Sequence, residues 1–177
     1  MDITTIKQQR ALTLNDSLPV VLERLIISPG VDWSGKLIGR SEYTFNPIPV
    51  IEQTSAIYSQ ALKWSKILQE ALLPADPEHI FMHLTNLRVH FKGHSLSETE
   101  SRILIQDYIS DLSHLPLDLI ELVCKEYRHD GNSQYFPKAG QLRTAANQHL
   151  CTRIAKLNKL NAILQASADA NNNKPTY

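Results

Sequence analysis

The sequence predicts an all-α protein: a compact bundle of five or six helices behind a breaker-rich N-terminal arm, closed by a disordered C-terminal tail. Three observations carry that prediction. Apolar residues recur at helical spacing in window after window from residue 49 onward. Capping residues and prolines stand at the starts of those windows, and no stretch sustains the period-two alternation of a strand.

The elements follow in order. Leu18, Val21, Leu22, Leu25 and Ile26 share a helical face behind Asp16 or Ser17 as cap, with Pro19 near the first turn, which predicts a short helix over about 16–27. Residues 28–49 then hold three of the six glycines and three of the nine prolines, a density of breakers that forbids a long helix. That segment is a connector or arm, with a small β element from Lys36-Leu37-Ile38 and Tyr43-Thr44-Phe45 as the alternative. From Pro49 to about residue 73, Ile57, Ala61, Trp64 and Leu68 stack on one helical face.

Asp76 caps the next helix with Pro77 at its first position, Ile80, Leu84, Leu87 and Phe91 repeat the stripe, and Gly93 stops it. Ser97 with Glu100 forms a capping box ahead of Ile105, Tyr108, Ile109 and Leu112, a helix over about 98–113. Pro116 opens another, with Asp118 at the positive end of its dipole and Leu119, Ile120, Val123 and Tyr127 as its apolar face, ending near Gly131. The longest, over about 138–167, is traced by Leu142, Ala146, Leu150, Ile154, Leu157 and Leu164. Residues 169–177 have too little apolar surface to offset the entropy of ordering. The expected organisation is therefore an arm over 1–48, a helical domain over 49–168 and a tail over 169–177.

With 177 residues the chain is about one domain long, and 42% apolar with 20% charged residues is the composition of a globular chain that can build a core. Eighteen basic against eighteen acidic residues leave no net charge to draw it to nucleic acid or acidic lipid. No run approaches the roughly 18 apolar residues of a membrane span, and the N-terminus lacks the basic-then-apolar order of a signal peptide, so a soluble, cytoplasmic protein without a membrane partner is expected. Cys124 and Cys151, reduced in that compartment, are expected to fill core.

Candidate chemistry is sparse. Gly30-Val31-Asp32-Trp33-Ser34-Gly35-Lys36 matches the phosphate-binding loop G-x-x-x-x-G-K, but Leu37 stands where a hydroxyl must ligate magnesium, and an all-α chain offers no parallel sheet to aim the loop. His79 and His83 are one helical turn apart, as are His90 and His94, yet Ile80 follows His79 where a zinc protease carries its Glu. Asp107 and Asp111 are one turn apart on a helix, an arrangement commonest on a solvated face. No serine or cysteine stands on a strand-to-helix turn. The expectation is a non-enzyme with no cofactor, no metal and no small-molecule substrate.

Charge is distributed more informatively. Residues 96–130 hold eight acids against three bases, whereas 131–168 hold Lys138, Arg143, Arg153, Lys156 and Lys159 and no acid. An acid-free helix of this kind can lie along phosphates, so the five cations are candidates for binding nucleic acid or an acidic partner. On a helical wheel Lys156 and Lys159 point away from the apolar stripe while Arg143 and Arg153 flank it, so pairing with acidic neighbours is the competing reading. Trp33, Tyr43 and Phe45, in the arm, are candidates for docking a partner protein, or else fold back on the bundle.

One stretch is more specific. Tyr108-x-x-x-Leu112, Leu115-Pro116-x-Asp118, an apolar helix to Tyr127, and Tyr135-Phe136-Pro137-x-x-Gly140-x-Leu142-Arg143 together resemble small helical proteins carried by bacteriophages and prophages of proteobacteria. The stretch, Ser101 to Asn147, is about a quarter of the chain, and residues 1–96 have no counterpart in it. Some members of that group resemble replication accessory proteins of helicase-loader or helicase-inhibitor type. The resemblance implies an adaptor in a bacterium or phage-infected host that binds a helicase or other replication protein, with DNA as an additional partner; it carries over no binding residue. The alternative from the residues alone is a sequence-independent nucleic-acid-binding module.

Overall fold

A computed structural model of the chain describes residues 18–26, 48–91 and 97–172. Among them the protein is all-α: Val20–Ile26 (α1), Ala56–Glu70 (α2), Pro77–Val89 (α3), Glu98–Leu112 (α4), Leu117–His129 (α5) and Ala139–Asn172 (α6), with no strand. The β alternative, the loop around Gly30 and most of the arm lie outside the described residues. The helices divide into two compact units, Ala71–Leu150 and a second made from 14–70 with Cys151–Tyr177, so the 49–168 span is shared between them and α6 contributes to both.

In the Ala71–Leu150 unit the predicted caps set the helix starts. Asp76 accepts the Glu78 N–H at 2.9 Å with Pro77 in the first turn of α3, and Ser97 with Glu100 closes its capping box at the start of α4. Pro116 precedes α5 without a side-chain cap. The core is contiguous: Ile80, Leu84 and Leu87 of α3, Tyr108 and Leu112 of α4, Leu119, Ile120 and Val123 of α5, and Leu142 and Ala146 of α6.

The polarity of the helices follows from their end contacts. The Ala75 N–H, just ahead of α3, donates to the Leu115 carbonyl, just ahead of α5, at 2.8 Å. At the other ends the rings of Phe91 and Tyr127 lie 5.6 Å apart, and Arg128 Nη1 is 3.5 Å from His90 Nε2. Two helices of 13 residues thus run parallel, starting and finishing together. Parallel neighbours need a return segment between them, and α4 is that segment.

The start of α6 is fixed by α4. The Tyr108 hydroxyl donates to the Pro137 carbonyl at 2.6 Å, and its ring lies 5.5 Å from that of Phe136. The Gln141 side chain then accepts the Lys138 backbone N–H at 2.8 Å, a cap at the first turn.

In the second unit α1 buries Leu22 and Ile26, α2 buries Ala61 and Leu68, and α6 buries Leu157, Leu160, Ile163 and Leu164. Polar ties join them: Ser65 Oγ donates to Asn161 Oδ1 at 2.6 Å, and the Ile51 N–H donates to Ser167 Oγ at 2.9 Å. Lys156 of α6 pairs with Glu23 of α1 at 3.7 Å.

Four boundaries or positions differ from the sequence expectation. The second helix begins at Ala56 rather than at Pro49, because Ser55 Oγ accepts the Tyr58 N–H at 3.2 Å and because Ser167 engages the Ile51 N–H. The helix after Pro77 ends at Val89, four residues short of Gly93. The tail is shorter than expected, since α6 continues through Asn172: Gln165 donates to Asp169 at 3.0 Å and Asn171 donates to Gln53 at 2.9 Å. Residues 173–177 lie outside the description.

The fourth concerns the stripe on α6. Ile154 is exposed, and Arg153 occupies the buried position instead at 8% exposure. Stepping every four residues from Leu142 drifts about 40° per step on a helix of 3.6 residues per turn, so Ile154 lies about 120° from Leu142. The buried residues Arg153, Leu157, Leu160, Leu164 and Ser167 step by four and three in alternation, which holds the face.

Burial pushes the Tyr108 hydroxyl above its ordinary value. Its folded pKa exceeds the unfolded value near 10, so the stabilisation is complete below that pH and is lost as pH rises through the folded value. Tyr108→Phe should cost about 1–2 kcal/mol in urea unfolding at neutral pH, by leaving the Pro137 carbonyl without its donor. The variant should also lose less stability than the parent between pH 9 and about 11. Equal alkaline slopes would disprove the assignment.

Candidate functional site

Of the five candidate cations, Arg143, Arg153, Lys156 and Lys159 lie on α6 and Lys138 just ahead of it. Lys138 and Arg143 belong to the Ala71–Leu150 unit, and Arg153, Lys156 and Lys159 to the other. Arg143 lies 3.4 Å from Asp111, Lys156 lies 3.7 Å from Glu23, Arg153 is buried and Lys159 is partly buried; Lys138 and Arg143 are exposed. Pairing with acids of the same chain is thus the observed arrangement for Arg143 and Lys156. Trp33, Tyr43 and Phe45 lie outside the described residues.

The acids of 96–130 are likewise engaged. Asp111 faces Arg143, and Glu126 lies 3.5 Å from His149. Asp118 is 1% exposed in the first turn of α5, where the positive end of the helix favours a carboxylate. Glu100 accepts from the Ser97 hydroxyl and backbone N–H, which hold its carboxyl below the usual range. Asp130 is held low in the same way by the Asn132 N–H and the Ser133 hydroxyl, which close the turn after α5.

A cleft of about 270 Å³ lies along the seam of the parallel pair. Met82, His83, Asn86 and Leu87 of α3 form one wall, and Glu121, Cys124, Lys125 and Arg128 of α5 form the other. The α5 residues sit at i, i+3, i+4 and i+7, one helical stripe. Leu87 and Cys124 are buried and make an apolar floor, while Met82, Asn86, Lys125 and Arg128 are exposed at the rims. No ion pair engages Lys125 or Arg128 among the described residues. The outward face of α3 continues the surface with Phe81, Met82 and Val89, which are 49%, 42% and 81% exposed.

The remaining candidate chemistry does not assemble. His79 and His83 lie on α3, His90 contacts Arg128, and His94 lies outside the described residues. Among the described residues no three His, Cys, Asp or Glu side chains converge as a metal site would require. No helix among them is long and apolar enough to cross a membrane.

The motif residues of the resembling stretch have structural work. Tyr108, Phe136 and Pro137 launch α6, Tyr127 donates to the Tyr135 carbonyl at 3.2 Å, and Leu112, Leu115 and Leu142 are core. Sequence reasoning missed the α3/α5 cleft because its polar wall residues are separated by the length of α4. The available signal was the stripe Glu121, Cys124, Lys125, Arg128 on one face of a helix that buries its other side. No family model, curated protein or solved structure matches the chain.

The cysteines differ in environment. Cys124 is buried as expected, and burial pushes its thiol up to about 12; Cys151 is exposed on α6, contrary to the expectation that both fill core. A thiol reagent at pH 8 should therefore modify one equivalent, Cys151, in the native protein and two after denaturation. Two equivalents reacting together in the native state would contradict the buried floor.

Proposed function

We propose that this chain is a non-enzymatic adaptor that acts by binding another protein through the outer surface of the Ala71–Leu150 unit. The observation that carries the proposal is the exposure of three large apolar side chains on α3, Phe81, Met82 and Val89, of which Met82 lines the cleft that Lys125 and Arg128 of α5 also line. Large apolar side chains exposed on one element and edged by polar groups are a usual mark of a protein-binding site. The likeness of residues 101–147 to phage and prophage proteins supports a helicase or other replication protein as the partner.

The pairing of Arg143 and Lys156 within the chain, and the burial of Arg153, favour a protein over a nucleic acid as the ligand. A strip that binds phosphates must present its cations together and unengaged.

A photo-crosslinking residue at position 82 tests the proposal in a bacterial host, with position 165 on the exposed side of α6 as the control. Position 82 should capture a replication protein and position 165 should not. Capture of DNA from position 165, or of no protein from position 82 while the chain remains folded, would overturn it.

A further inference from the structure

The cleft between α3 and α5 has a polarity that narrows the chemistry of its occupant. Its walls belong to two parallel helices and run from Met82 to Leu87 and from Glu121 to Arg128, so the cleft is about two helical turns long. Its floor is apolar at Leu87 and Cys124, and Met82 forms an apolar lip. Charge is placed along it asymmetrically. Glu121 lies towards the N-terminal end of α5, while Lys125 and Arg128 lie towards the C-terminal end, where no acid among the described residues forms an ion pair with them.

We propose that this cleft receives an amphipathic helix from a partner protein, with apolar side chains on the Leu87–Cys124 floor and carboxylates against Lys125 and Arg128. A helix is the occupant that fits a straight channel between two helices, since its i, i+3, i+4 and i+7 side chains enter as a row. Acidic side chains complement the end of the cleft that carries Lys125 and Arg128, so the placement of the two cations sets the sign of the bound helix and which of its ends is acidic. The acids of residues 96–130 give that segment a negative sequence charge, but Asp111 and Glu126 face basic groups of the chain and Asp118 is buried, which leaves the cleft rim cationic. This inference rests on the adaptor reading and specifies its partner.

The test uses the full chain as bait for a displayed library of helical peptides, each about 14 residues long, or four turns. Leucines are fixed along one face, and flanking positions are randomised among Glu, Gln and Lys. Selection should enrich Glu at flanking positions at one end of the peptides. Lys125→Glu with Arg128→Glu should weaken the selected peptides by at least about tenfold and shift a repeated selection to Lys at those positions. Asn86→Glu, on the opposite wall, should weaken the original peptides in the same direction and serves if the double variant fails to fold. No enrichment, enrichment without charge preference, or binding indifferent to these substitutions would overturn the proposal. Failure here with a protein still captured from position 82 would remove the acidic helix and leave the adaptor reading standing. Selection of acidic peptides without any captured protein would do the reverse.

Discussion

The parallel alignment of α3 and α5 is the constraint on which the Ala71–Leu150 unit depends. It is held at one end by a backbone hydrogen bond from Ala75 to Leu115, and at the other by Phe91 against Tyr127 and Arg128 beside His90. Because parallel helices cannot be joined by a tight turn, α4 must run back between their ends, and its inner face is then available to build core. Tyr108 on that face reaches Pro137 and so directs the start of α6. One alignment thereby determines the seam, the return helix and the departure of the longest helix.

The same alignment decides which charges meet solvent. Residues 96–130 are acidic in sequence, yet Asp111 and Glu126 face Arg143 and His149, Asp118 is buried at a helix start, and Glu100 and Asp130 close a cap and a turn. Of the basic residues that follow, Arg143 and Lys156 are paired within the chain and Arg153 is buried. Exposed ion pairs of this kind contribute little stability, commonly under about 1 kcal/mol. Their consequence is to leave Lys125 and Arg128 as the cations beside an apolar surface, an arrangement suited to recognition.

Most of the helical elements were legible in the sequence because their signals are local. Asp76 with Pro77, Ser97 with Glu100, and Pro116 each mark a start within four residues of the helix they begin. Misreadings arose where a distant residue decides: Ser167 holds Ile51 outside α2, and Gln53 receives Asn171 beyond the expected end of α6. Arg153 in the buried stripe illustrates a limit of hydropathy, which assigns the inner face to Ile154 next to it. The cleft was not legible as a unit, since nothing local places Met82 and Asn86 opposite Lys125 and Arg128.

The proposed binding surface is the outer face of α3 and α5. Residue-resolved amide line broadening of the isotopically labelled full chain in an unlabelled bacterial lysate measures this directly. Broadening should concentrate at Met82, Asn86, Val89, Lys125 and Arg128. Broadening centred instead on Lys138, Arg143, Lys156 and Lys159, or no residue-specific broadening, would contradict it.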